Sequence, residues 1–264
     1  MNNENNNDGR ADVTTLNVAL QFAGNRLLAS LKPAERAILE PSMTAVLLNR
    51  GDVLFDAGED VTHTYFPGPG VVASLVVNMA DGRAVEAATI GREGAVGGIV
   101  SAGNKPAFAR AVVQIGGTAL KMETFALETA KERSTAIRDL FSRYADTLLA
   151  QTMQSVACNA LHPLDARLCR WLLTTHDRVD SDEIALTQEY LAEMLGVQRT
   201  TVSGVARHLQ ERGLISYSRG RMVILDRAAI EACACECYAA VQSHFRAVLP
   251  DTRPQKVAEA RTAT

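Results

Sequence analysis

The sequence predicts an α+β protein in three parts: an N-terminal β-roll of the jelly-roll kind, a long helix, and a C-terminal winged helix-turn-helix. Three observations carry this. Residues 43–122 alternate short β-branched runs with glycine punctuation. Residues 130–160 contain neither glycine nor proline. Residues 186–225 read as helix, glycine turn, helix and hairpin in close succession. The expected boundaries are 21–128 for the β-roll, 129–161 for the long helix and 162–248 for the winged domain, between disordered tails at 1–20 and 249–264.

The elements follow in order. The opening MNNENNNDGRADVTT is polar and asparagine-rich, without the basic and apolar segments of a signal peptide, and reads as a disordered tail. A short helical stretch over Asn25 to Leu31 precedes Pro33, which suits a first helical turn. Strands are expected at Ala45 to Leu48, Val53 to Phe55, Thr64 to Phe66, Val71 to Val77 and Val85 to Ile90. Gly51-Asp52, Gly58-Glu59, Gly68 to Gly70 and Asp81-Gly82 separate them, and Asp-Gly between two such runs is a hairpin signal. Short strands at this spacing indicate a sandwich or barrel.

The long helix carries the stripe Ile137, Phe141, Tyr144 and Leu148, widened by Leu140, Leu149, Met153 and Val156. About 27 helical residues extend ~40 Å at 1.5 Å per residue, more than a small β domain covers. The stripe is therefore expected to pack on the same helix of a second subunit, making a homodimer. His162-Pro163 ends the helix, and Leu164, Leu168, Trp171 and Leu172 mark another.

In the C-terminal part, Thr187 is an N-cap with Glu189 in the first turn. Leu191, Met194 and Leu195 form an apolar face, and Gly196 stands where a left-handed C-cap needs glycine. A second helix runs from Arg199 to Arg212, burying Val202, Val205, Ala206 and Leu209, and Gly213 ends it. The hairpin turns at Ser218-Arg219-Gly220-Arg221, and Asp226 caps a last helix over Arg227 to Val248. Between Gly196 and Met222 lie five arginines against one glutamate, a local excess of plus four on a chain whose net charge is −3. A basic focus on a helix-turn-helix predicts contact with double-stranded DNA. The expected contact set is Thr187, Gln198, Arg199, Thr200, Thr201, Ser203, Arg207, Arg219 and Arg221.

These residues bear a resemblance. Leu191-Ala192-Glu193-Met194-Leu195-Gly196-Val197, Arg199 with Thr201-Val202-Ser203, Leu209 with Gly213-Leu214-Ile215, and the wing Arg219-Gly220-Arg221 with Val223 to Asp226 resemble the Crp/Fnr family of transcription regulators. The β-roll punctuation at Gly51-Asp52, Phe55, Gly58-Glu59, Tyr65, Gly70 and Asp81-Gly82 continues it, over roughly residues 25 to 245. The resemblance implies a cyclic-nucleotide-binding-like β-roll, a homodimer on an inverted-repeat operator, and RNA polymerase as a further partner. Departures count equally. Members that bind cyclic nucleotides hold the ribose and phosphate with a glutamate and an arginine; here Gly98 and a position near Ala107 stand in their places, with Arg110 close by in a strand. A cyclic phosphate without an arginine lacks its charge partner, so cAMP is not the expected effector. Oxygen-sensing members use N-terminal cysteines for an iron–sulfur centre, and this chain has none before Cys158. His63 is the single histidine of the β region and reads as a surface residue, not a haem ligand. In the second helix, Thr200 and Gly204 replace residues by which the best-known members read DNA, so their half-site is not carried over.

Five cysteines, an odd number in no disulfide spacing, fit reduced thiols in the cytoplasm. Cys233 and Cys237 would be neighbours on a continuous helix with Cys235 pointing away, and His244 is the nearest histidine. Metal binding or oxidation is one reading of them; small residues packing the last helix is the other and the expected one, with no cofactor and no metal. No nucleophile–base pair or phosphate loop points to an enzyme, and no apolar run is long enough to span a bilayer. A DNA-binding regulator is thus the principal reading. A switch that responds to a cyclic nucleotide, a thiol reaction or a metal is the other.

Overall fold

The alternation of β-branched runs and glycines becomes seven antiparallel strands in two facing sheets. The computed structural model describes residues 18–100 and 106–250; most of both expected tails lies outside the described residues. Strands β1 (Thr44–Leu48), β7 (Gly117–Glu123) and β3 (His63–Pro67) form one sheet in the order β1-β7-β3. Strands β2 (Val53–Phe55), β6 (Arg110–Ile115), β4 (Val72–Asn78) and β5 (Ala84–Ile90) form the other in the order β2-β6-β4-β5. The Asp81-Gly82 hairpin is present, with Asn78 paired to Ala84 and Gly82 at φ 85°. Val71, Val113 and Ala119 pack between the sheets with Leu48, and Ala73, Ile90, Val96 and Ala111 form a second inner cluster.

Helices α1 (Val18–Gly24), α2 (Arg26–Ala29), α3 (Pro33–Leu39) and α4 (Thr124–Arg133) cover the β1-β7-β3 sheet. Helix α1 begins three residues inside the expected tail, where Phe22 is 1% exposed. The anticipated single long helix is two: α4 stops at Arg133, and Ser134 caps α5 (Thr135–Leu161) by accepting a bond from Ile137 N at 3.4 Å. A Ser hydroxyl bond of this kind is a helix start, and the sequence around it holds no glycine or proline to advertise it.

The winged domain contains α6 (Leu164–His176), α7 (Gln188–Leu195), α8 (Arg199–Glu211), β8 (Glu183–Ala185), β9 (Ile215–Ser218), β10 (Arg221–Ile224), α9 (Arg227–Cys233) and α10 (Cys237–Val248). Its core is built on Leu168, Trp171, Leu172, Leu191, Val202, Leu209 and Ile215. The wing has a third strand that the sequence does not announce: β8 pairs with β10, in the order β8-β10-β9. The last helix is also broken, between Cys233 and Cys237.

The two domains touch over polar ground. The Trp171 indole donates to Glu86 Oε1 at 3.1 Å, and Gln114 donates to Met194 Sδ at 3.4 Å. Arg178 and Glu93 form an ion pair at 2.7 Å with side chains 6% and 16% exposed. A buried pair of this kind fixes orientation more than it adds stability.

Candidate nucleic-acid interface and thiol cluster

Helices α7 and α8 form the helix-turn-helix, and local chemistry explains both. Thr187 Oγ1 accepts from Tyr190 N at 3.2 Å, so this residue is spent on the cap of α7 and lies half-buried. Gly196 ends α7 at φ 65°, ψ 36°, a left-handed conformation that a Cβ would strain. Arg199 opens α8, and Val202, Ala206 and Leu209 turn inward. Gln198, Arg199, Thr200, Thr201 and Arg207 face outward and are exposed. Arg199 pairs with Glu189 at 2.8 Å, both side chains more than 60% exposed. Such a pair is worth little and leaves the guanidinium free to exchange partners. Ser203 is half-buried and turned toward α7: its hydroxyl lies within hydrogen-bond reach of Gln188 Oε1 and of Arg199 O, and its one proton serves either. That places Ser203 between the two helices, half-buried beside Arg199. At Gly204 a Cβ would meet nothing within 4 Å, so the outer face of α8 is open there.

The wing closes in a two-residue turn at Arg219-Gly220, with φ 49° and 76°. Positive φ at both positions is the mirror-image turn whose twist suits a hairpin. Arg219 and Arg221 are exposed, Arg221 resting 3.2 Å from Glu183.

Most of the stripe expected to pack across a dimer is buried within the single chain. Ile137, Phe141 and Tyr144 are 0%, 3% and 1% exposed within the single chain, and Leu148 packs half-buried against the cluster around Ala73. They belong to the β-roll's own core. Two glycines admit them: a Cβ at Gly94 would stand 2.5 Å from Tyr144 Oη, and one at Gly98 would stand 2.9 Å from Phe141 Cε1. The Tyr144 hydroxyl donates to Ala95 O at 3.1 Å, and burial pushes its pKa above the ordinary range. Gly98 therefore cannot be exchanged for a glutamate while Phe141 keeps its place. Arg110 pairs with Asp56 at 2.8 Å, both side chains part-exposed, and lowers that carboxyl's pKa. The exposed large apolar residues of α5 are Leu149, Met153, Val156 and Leu161, between 58% and 78% exposed.

A second constellation escaped the sequence reading. Cys158, His162, Cys235 and Cys237 offer ligand atoms that all lie within 4.8 Å of one another. Cys235 does not point away, because α9 ends at Cys233 and the chain turns before α10. Cys233 instead accepts from Arg212 at 3.1 Å, and His244 bonds Asp146 at 2.9 Å. The signal available in the sequence was Cys158 and His162 at i and i+4, where α5 ends.

Comparison with known proteins agrees with this geometry. Residues 166–233 match the model of the Crp-like helix-turn-helix domain. FixK2 from Bradyrhizobium japonicum is similar in structure, with TM-score 0.63 at 17% identity, over 73% of this chain and 98% of that one. A CRP-family transcriptional regulator from Thermus thermophilus gives 0.60 at 21%, over 72% and 96%. The c-di-GMP-responsive global regulator CLP of Xanthomonas campestris gives 0.58 at 14%, over 74% and 100%. No curated protein sequence matches the chain. A Crp-like helix-turn-helix domain at residues 166–233 thus sits in a chain whose fold resembles that of solved Crp/Fnr-family regulators.

Proposed function

We propose that this protein binds operator DNA as a homodimer, each subunit laying α8 in the major groove. The observation that carries this is the exposed basic start of α8 beside an arginine-tipped wing, on a chain of net charge −3. Arg199 is the residue suited to bidentate contact with guanine, Thr200 and Thr201 to base edges or a thymine methyl, and Gln198, Arg207, Arg219 and Arg221 to phosphates or neighbouring bases. Thr187 caps α7 and can still donate its hydroxyl proton to a phosphate oxygen.

The dimer seam we assign is the outward stripe Leu149, Met153 and Val156, spaced four and three residues apart as in a coiled-coil seam. An apolar stripe of this extent on a helix is an interface in search of a partner. Two copies joined there would present two recognition helices to an inverted repeat with half-sites about 34 Å apart. Contact with RNA polymerase belongs to the same reading.

A regulator answering to a metal or a thiol reaction is a second reading, favoured by the cluster of Cys158, His162, Cys235 and Cys237. A cyclic nucleotide fits less well, given Phe141 packed against Gly98 where a ribose-binding glutamate would stand. The test is selection of bound sequences from a random DNA library. Recovery of an inverted repeat, bound by two chains, supports the proposal; recovery of no shared sequence overturns it.

A further inference from the structure

We infer that Cys158, His162, Cys235 and Cys237 form a closed zinc site that staples the end of α5 to the segment between α9 and α10. The four come from two places distant in sequence. Cys158 lies on the last turn of α5 and His162 is its C-cap, the His162 N–H donating to Cys158 O at 3.1 Å. Cys237 opens α10, and Cys235 precedes it in the break. The thiols are 0%, 8% and 0% exposed.

The geometry is that of a single tetrahedral ion. With metal–sulfur bonds of about 2.3 Å, tetrahedral sulfurs stand about 3.8 Å apart. Cys158 Sγ and Cys235 Sγ are 3.5 Å apart, and Cys237 Sγ is 3.5 Å from His162 Nδ1. Mutual distances under 4.8 Å leave room for one ion and not for an iron–sulfur cluster. Three thiolates and a neutral imidazole are a set that zinc accepts in structural sites.

The surroundings are built for that set. His162 turns Nδ1 to the sulfurs and Nε2 to Glu236 Oε1 at 3.2 Å, an arrangement in which a carboxylate orients a metal-binding imidazole. Gln154 donates to Cys237 Sγ at 3.0 Å. Three thiolates with a divalent ion leave one negative charge, and Arg170 and Arg167 lie close enough to act on these sulfurs. On binding, each ligating thiol gives its proton to solvent, and the ion takes its place. Small packing residues alone require neither a histidine with its carboxylate nor a glutamine aimed at sulfur.

The experiment uses the full chain, reduced, freed of metal with a chelator and titrated with Zn²⁺ in the absence of DNA, so its outcome is separate from that of the DNA-binding proposal. One zinc per chain is expected, and Co²⁺ should give the intense visible bands of a tetrahedral thiolate site. Cys158→Ser and Cys237→Ser should lose stoichiometric binding. His162→Ala should weaken it while circular dichroism stays that of the parent. Glu236→Gln should weaken it ~10–100-fold. Cys233→Ser, outside the cluster, should bind as the parent does. A folded, reduced chain that takes up no zinc, or zinc uptake unchanged in His162→Ala and in both serine variants, overturns the inference.

Discussion

The two halves of α5 have the same texture and opposite fates. From Ile137 to Tyr144 the large apolar side chains are at most 3% exposed, sunk into the β-roll against Phe66, Ala95 and Leu120. From Leu149 to Leu161 the large apolar side chains that face outward are more than half exposed. Both stretches repeat apolar residues every three or four positions, so periodicity alone predicts helix for each and a partner for each. It does not say whose surface the partner is. The difference is set by what the β-roll offers. Gly94 and Gly98 leave hollows where Tyr144 and Phe141 fit, whereas the far half of the helix meets β5 through Gln151, whose amide donates to Thr89 O at 3.0 Å, and then α10, and leaves Leu149, Met153 and Val156 uncovered. The half expected to dimerise thus builds the fold, and the half treated as its margin carries the exposed residues to which the proposed seam is assigned.

The largest effect should come from breaking the inner half. Phe141→Asp removes a ring in edge-to-face contact with Phe66, centroids 6.3 Å apart, and leaves a carboxylate among apolar neighbours. The truncation alone costs ~3–5 kcal/mol, and the unpaired charge adds to it. A fall in Tm on the order of 10 °C or more is expected by calorimetry. A stable, folded monomer would instead return Phe141 to the subunit seam.

Met153→Asp is the matching change in the outer half. With Met153 62% exposed in the single chain, secondary structure should survive. The dimer should not: sedimentation velocity at micromolar concentration is expected to show a 28.4 kDa species, and operator affinity should fall because only one half-site is held. An unchanged dimer would place the seam on another face.

Arg199→Ala sharpens the comparison at the DNA. It should cost about 1–3 kcal/mol per half-site and relax the preference at one base position. In the parent dimer the loss appears at both half-sites, and in the Met153→Asp monomer at one. Unaltered affinity and sequence preference would mean that α8 does not enter the groove by its N-terminal end.

What could be read in advance follows the distance over which each device acts. The helix-turn-helix rests on local chemistry, with Thr187 capping Tyr190, Gly196 and Gly213 in positive φ, and Arg219-Gly220 turning the wing, so it was legible residue by residue. Most strands were legible in the same way; β7, which opens on Gly117, was not read as a strand, and β8, three residues long, is defined only by its pairing with β10. The thiol cluster was not. Cys158 and Cys235 are joined by the tertiary fold, and the break before Cys237 falls in Ala234-Cys235-Glu236, where no glycine or proline marks it. Assigning the dimer stripe failed for a related reason. A helix with apolar residues around much of its circumference has two faces to fill, and only the hollows at Gly94 and Gly98 say which is filled from within.

The smallest effect should come from the wing. Arg219 stands at φ 49° on an exposed turn, and alanine keeps the same Cβ and the same backbone strain, so Arg219→Ala should leave stability almost untouched. If Arg219 contacts a phosphate, its loss weakens every sequence alike and lowers the slope of log K against log salt by about 0.9 per contact. Here the two halves of α5 return as arithmetic. A dimer closed through Leu149, Met153 and Val156 brings two wings to the operator, and the slope should fall by about 1.8. In the Met153→Asp monomer, with a single wing, it should fall by about 0.9. Equal changes in the two backgrounds would mean that the parent does not bring two wings to one operator, and an altered base preference at constant slope would mean that Arg219 reads a base edge instead of the backbone.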